Sequence, residues 1–249
     1  MTDHSAFEAG AATNAGHMQN CNEDRVLIRP DLGLWAVADG MDGHAEGAAP
    51  NAAVIESLAM ITRTAAGLLQ ACKDRLRVVN AQIRQMAARR GIDVMGTTVV
   101  ALLIFDRHFS CLWSGDSHAY VIRGAPIHQI TCDLTEMEEL VAEGSLSGEE
   151  VRRNVVTRAI GVFENPAVDI RNGEPLPQDA LLRCSDGLTG YVEPAELRLH
   201  ARGAHTQSAC DALIGLALEG GSQDNVTVIV VRYLVSRKRL LDRPTQWRE

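Results

Sequence analysis

TTVVALLIFDRHFSCLWSGDSHAYVIR, residues 97–123, decides the architecture. Thr97–Phe105 is a β-branched, apolar run, and His108–Ser114 and His118–Arg123 follow it after short turns. Three strands in a row with tight connections predict an antiparallel sheet, because parallel neighbours need long crossovers. Upstream, Arg25–Arg29 (RVLIR) and Gly33–Ala38 (GLWAVA) read as strands joined by a turn carrying Pro30, Asp31 and Gly33. Apolar residues at helical spacing predict one helix from His44 to about Arg63. A second runs from about Gly67 to Arg90 and is closed by Gly91.

Downstream, Thr135–Gly144 reads as helical, 145–165 as a polar excursion and Leu181–Cys184 as a short strand. Pro194–Leu199 and Thr206–Glu219 read as helices and Val226–Tyr233 (VTVIVVRY) as a closing strand, while residues 1–19 are small and polar and read as irregular. This order lacks the regular alternation of a parallel α/β fold and suits antiparallel sheets with helices outside them. The segments run on without a Pro/Ser/Gly-rich linker, so the 249 residues are read as one domain.

The formal charge of −8 argues against a nucleic-acid partner, which needs a basic surface. The one basic cluster, Arg237–Arg239, reads as a solvated tail. No secretory leader or membrane-length apolar run is visible. The six cysteines are dispersed with no C-x-x-C pair, so free thiols in a reducing cytoplasm are expected.

Acidic residues recur where strands begin or end: Glu23 and Asp24 before RVLIR, Asp39 after LWAVA, Asp186 after LLRCS and Asp224 before NVTVIVV. Strand ends meet at one edge of a sheet, so these carboxylates can converge although distant in sequence. Converging carboxylates repel and do not all stay ionised unaided. A hard divalent cation removes the conflict, and oxygen donors without cysteine suit Mg²⁺ or Mn²⁺ rather than zinc. Taken singly, each Asp reads equally as a turn or cap residue. The pairs Asp39-Gly40, Gly115-Asp116 and Asp186-Gly187 favour a site, since glycine lets backbone come close to a ligand.

The strings NED (Asn22–Asp24), LWAVADGMDGH (Leu34–His44), GTT (Gly96–Thr98), WSGDSHAY (Trp113–Tyr120), TRAIG (Thr157–Gly161), LLRCSDGLTG (Leu181–Gly190) and GGSQDNVTVIVV (Gly220–Val231) resemble the PPM-type, or type 2C, metal-dependent protein phosphatases, in their compact bacterial branch. They follow the family's order over roughly residues 16–233. The resemblance implies an α+β fold, a four-layer αββα sandwich of two mostly antiparallel sheets flanked by helices. It implies hydrolysis of phosphoserine and phosphothreonine in proteins by a metal-activated water, without a phospho-enzyme. Asp39 would bridge two Mn²⁺ or Mg²⁺ ions and the Gly40 carbonyl would ligate one. Asp186 and Asp224 would hold the first ion, and Glu23 and Asp24 would lie around the second. Asp116 would help bind a third, and Asn225 would orient Asp224. Partners would be phosphoproteins and an opposing serine/threonine kinase, and some bacterial relatives regulate secretion systems such as type VI. A flap beside the site is expected over about 135–156.

Three positions, Gln19, Asp42 and His118, depart from the family pattern. Gln19 stands where an arginine usually grips the substrate phosphate; an amide donates hydrogen bonds but brings no charge. Asp42 adds a negative charge to the DGMDGH loop. Met41 replaces the histidine that many eukaryotic relatives use as general acid, which leaves His44 as a candidate for that role and equally as a capping residue. His118 stands where an arginine is common and is read as structural. The alternative to an active phosphatase is a catalytically weak regulatory module on the same fold. A two-metal phosphodiesterase is disfavoured by the charge.

Overall fold

The computed structural model describes residues 7–19, 21–40, 48–62, 67–105, 107–132 and 158–234. These form two five-stranded sheets in which each neighbouring pair is antiparallel. The first sheet has the order β1 (Phe7–Asn14), β10 (Val226–Tyr233), β9 (Ala180–Cys184), β6 (His118–Ile122), β7 (Ile127–Gln129). The second has the order β2 (Arg25–Arg29), β3 (Leu34–Ala38), β4 (Val99–Phe105), β5 (His108–Ser114), β8 (Asp169–Gly173).

The unbroken apolar run of β4 follows from burial on both faces. Val100, Leu102 and Ile104 pack with Trp35, Cys111, Leu181 and Ile229 between the sheets. Val99, Ala101 and Leu103 face outward and pack with Val54, Leu76 and Ile83 of α1 (Ala48–Ala59) and α2 (Leu68–Arg90). β10 repeats the pattern on the other sheet. Ile229 and Val231 point inward, whereas Val226, Val228 and Val230 lie against α3 (Asp186–Thr189, a single turn), α4 (Pro194–Ala201) and α5 (Thr206–Glu219). Each such side chain removed from water contributes about 1.5–3 kcal/mol, so the layers αββα are held by three apolar seams.

Local chemistry sets the helix ends. Gly91 adopts the left-handed conformation (φ 66°) that closes α2, and Arg89 and Arg90 complement its C-terminal dipole. Pro194 opens α4 behind a reciprocal cap between Glu193 and Glu196.

The sequence reading needs correction at the N-terminus. Phe7–Asn14 is a strand hydrogen-bonded to β10 along its length, not an irregular lead-in. Its small residues carry no β signal because α5 lies directly on them. A Cβ on Gly10 would meet the Gln207 nitrogen at 2.4 Å. Glu8 Oε1 accepts the Thr206 N–H at 3.0 Å. The short edge strands β7 and β8 were likewise unforeseen. The expected helix over Thr135–Gly144 and the flap at 135–156 lie outside the described residues.

All six cysteines are free; Cys72, Cys111, Cys184 and Cys210 are buried filler, whereas Cys21 and Cys132 are exposed. Burial pushes the thiols of Cys72, Cys111 and Cys210 up to about 12, which leaves them inert near neutral pH.

Candidate metal centre

Five of the predicted acids come to one end of the sandwich. The register Arg25↔Ala38 sets Asp24, just before β2, across from Asp39, just after β3. Asp186 leaves β9 into α3, Asp224 precedes β10, and Asp116 follows β5. Glycine brings the segments together: a Cβ on Gly187 would sit 2.1 Å from the Asn225 carbonyl oxygen. That glycine lets protein approach protein and so seats Asp186 beside the Asp224–Asn225 turn.

Asp39 lies close enough to Asp24 and Asp186 for their negative charges to bear on it directly. Desolvation first, then the negative charges of Asp24, Asp186, Asp116 and Asp224, hold the Asp39 carboxyl well above the usual carboxylate range. Desolvation raises Asp24 to about 6 against 3.8 for a free side chain, with Asp186 adding repulsion; hydrogen bonds from Thr227 and Ser185 oppose the rise. Asp186 is also raised, by desolvation and then by Asp224. It is open to solvent at its tip yet closely ringed by protein, as befits the rim of a cleft. Ser185 Oγ donates to Asp24 Oδ2 at 2.9 Å and accepts the Thr227 N–H at 3.0 Å. Asp24 Oδ1 is buried without a hydrogen-bond partner.

Among the described residues no three acidic, His or Cys side chains are gathered as a ready-made metal cage. The acids instead crowd one another as like charges. Their chemistry still fits a hard divalent cation, since the donors are all oxygens, they repel when ionised, and one buried carboxylate oxygen is unused.

Asn225 does more than orient its neighbour. Its N–H bonds Asp224 Oδ1 at 2.7 Å, its Oδ1 accepts the Glu23 N–H at 2.6 Å, and its Nδ2 donates to the carbonyls of Ala15 (2.9 Å) and Cys21 (3.2 Å). It therefore clasps the Glu23 segment to the Asp224 turn. Gln19 is exposed, and its Nε2 reaches Asp224 Oδ1 at 3.4 Å, which places it at the mouth of the cluster. His17 bonds the Leu218 carbonyl at 2.9 Å, at the end of α5. Gly40 bridges to Thr97, whose Oγ1 donates to the Asp39 carbonyl at 2.7 Å; the Thr98 N–H reaches the same oxygen at 2.9 Å. His118 bonds Thr189 Oγ1 at 3.1 Å and stacks on Tyr120, in keeping with a structural part. His44, Met41 and Asp42 lie outside the described residues.

Sequence reasoning missed Ser185, Thr97 and Thr227. The signal for Ser185 was its place beside Asp186; Thr97 and Thr227 lie inside the strings GTT and GGSQDNVTVIVV, which give no role to either.

No family model matches the chain. The chain is 34% identical over 228 residues to the serine/threonine protein phosphatase PstP of Mycobacterium tuberculosis, covering 88% of this chain and 44% of that protein. It thus spans less than half the length of that curated relative. It is 30% identical over 241 residues to the serine/threonine phosphatase stp of Listeria innocua, covering 91% of this chain and 96% of the relative. Among solved structures it superposes on PppA, described as a key regulatory component of T6SS in Pseudomonas aeruginosa, with a TM-score of 0.85 and 35% identity over 92% of this chain and 98% of that one. The chain belongs to the PPM-type serine/threonine protein phosphatases. Family membership accounts for the shared sandwich. A PstP catalytic domain solved in complex with two manganese ions matches with a TM-score of 0.80 and 32% identity, over 92% of this chain and 99% of that one. No helix among the described residues is long and apolar enough to cross a membrane.

Proposed function

We propose that this protein is a metal-dependent phosphatase that hydrolyses phosphoserine and phosphothreonine in other proteins. The observation that carries the reading is the convergence of Asp24, Asp39 and Asp186 at one end of the sandwich, with Asp116 and Asp224 adding further negative charge around Asp39. Such a set is costly unless a cation joins it. Asp39 would help hold two Mn²⁺ or Mg²⁺ ions, and the Gly40 carbonyl would help hold one of them. Asp186 and Asp224 would hold one, Glu23 and Asp24 the other, and Asp116 a third. When bound, the two ions supply a nucleophilic water at neutral pH and stabilise charge on the phosphoryl oxygens.

The chain's own residues do the rest. Asn225 fixes the Glu23 backbone, Ser185 aims Asp24, and Thr97 with Thr98 anchors the Asp39 carbonyl. Gln19 offers an uncharged donor to a phosphate oxygen, and His44 is a candidate to protonate the leaving serine or threonine. The buried thiols take no part. A cytoplasmic enzyme opposing a serine/threonine kinase fits this reading.

The test is turnover of p-nitrophenyl phosphate and a phosphothreonine peptide across a manganese titration. Metal-dependent hydrolysis of both, lost in Asp39→Asn, supports the reading. Wild type inert at every metal concentration overturns it in favour of a binding module. Turnover of bis-p-nitrophenyl phosphate but not of monoesters overturns it in favour of a phosphodiesterase.

A further inference from the structure

Asn80 lies on α2 and is fully buried, away from the acid cluster, yet it bonds to nothing on its own helix among the bonds described. Its Oδ1 accepts the Gly161 N–H at 2.7 Å, and its Nδ2 donates to the carbonyls of Phe163 (2.9 Å) and Glu164 (3.2 Å). One amide thus satisfies three backbone groups of a single loop. The loop is also pressed onto the helix. Gly161 has φ +103°, and a Cβ there would meet Ile83 Cγ2 at 2.4 Å and the Met95 carbonyl oxygen at 2.7 Å. The residue before it, Ile160, exchanges two backbone hydrogen bonds with Thr97, at 3.0 and 2.9 Å. Thr97 and Thr98 in turn place two hydrogen bonds on the Asp39 carbonyl.

A continuous line of short hydrogen bonds therefore runs from α2 through the 160–164 loop and the start of β4 to the backbone of Asp39 and Gly40. We infer that Asn80 is a positioning residue for the metal centre: it sets the backbone at Asp39–Gly40 through the Ile160–Thr97 bridge, and thereby the affinity for the divalent cation. The inference rests on the proposed metal-dependent function. The physical ground is that groups orienting a metal's ligands tune its binding strongly even without touching it. A buried amide is well suited, because truncating it takes the partner from the buried Gly161 N–H and from two loop carbonyls at once.

The experiment is calorimetric titration of Mn²⁺ into the whole chain, alongside thermal melting, for wild type, Asn80→Ala, Asn80→Asp and Leu76→Ala. Leu76 lies one turn earlier on α2 in the apolar seam, and its truncation costs packing alone. The expected result is Mn²⁺ affinity about tenfold weaker in Asn80→Ala. Asn80→Asp, which keeps the acceptor and loses both donors, should fall between. Leu76→Ala should melt earlier and bind Mn²⁺ like wild type. Asn80→Ala that melts cooperatively and binds Mn²⁺ as tightly as wild type overturns the inference, as does an equal loss in Leu76→Ala. If Asn80→Ala does not fold, hydrogen exchange on Asn80→Asp decides. Faster exchange at the Thr98 and Ile160 amides supports the line of bonds, and unchanged exchange overturns it. Wild type that takes up no Mn²⁺ removes the proposed function itself; wild-type uptake with unaltered variants removes only the role of Asn80.

Discussion

Strand β9 is flanked by an aspartate at each end, and the two ends of the sandwich treat buried acids in opposite ways. Before the strand, Asp179 is buried and fully served: Arg123 Nε donates at 3.1 Å, Arg123 Nη2 at 2.7 Å and the Leu176 N–H at 2.7 Å. Beyond it, Asp186 joins Asp24 and Asp39 in a cluster of like charge, with one buried carboxylate oxygen of Asp24 unused. The first arrangement is complete as protein. The second is complete only with positive charge from outside, and that difference separates a structural acid from a candidate ligand.

The sharpest way to break the comparison is to neutralise one acid at each end. Asp39→Asn should lower metal-dependent turnover by about 10³-fold, because several kcal/mol of charge stabilisation go at about 1.4 kcal/mol per tenfold. Steady-state kinetics at saturating Mn²⁺ reads this directly, and a loss under tenfold would count against Asp39 as the bridging carboxylate.

A pH series probes the same contrast without catalysis. Asp24, lifted from 3.8 to about 6, binds its proton more tightly in the folded chain than in the unfolded one. The metal-free fold should therefore lose stability as pH rises from about 4 to about 6, and stay level for this group above that. The gap is worth about 3 kcal/mol. Urea denaturation of the chelated protein at about pH 4.5 and 7.5 should show about 2 kcal/mol of it, the rest being lost already by pH 4.5. Asp24→Asn should flatten the profile, and saturating Mn²⁺ should make the higher pH the more stable one.

At the other end, Asp179→Ala should cost about 2–3 kcal/mol, below the range for a wholly buried pair because Arg123 is 44% exposed. Turnover per folded molecule should not change, so a drop in kcat would erase the distinction drawn between the two ends. The smallest effect is expected at the mouth of the site. Gln19→Arg adds a charge-assisted donor where the amide now stands, worth about 1 kcal/mol, and should lower KM for a phosphopeptide about fivefold.

What could be read in advance follows the same divide. RVLIR, HFSCLWS, Thr206–Glu219 and VTVIVVRY fall within the bounds expected of them: the closing strand is buried nearly throughout and leaves an unbroken apolar run, and the helix leaves apolar residues at helical spacing. β1 was illegible, since its alanines and glycine answer to the close approach of α5 rather than to strand propensity. The acids of the site were legible as strand-end residues. Their partners were not: the bonds from Asn225 to Glu23 and from Ser185 to Asp24 span more than 150 residues. The glycine after Asp186 set it apart from Asp179 in the string, but only the fold reveals that Arg123 faces Asp179.

The pairing of β1 with β10 has a consequence for biosynthesis. β1 is an edge strand whose sheet partner is the last strand described, so its backbone hydrogen bonds wait until residues 226–233 leave the ribosome. Asp224 and the Asn225 clasp arrive at the same moment. A nascent chain therefore carries most of both sheets before Asp224 and Asn225 join the acid cluster.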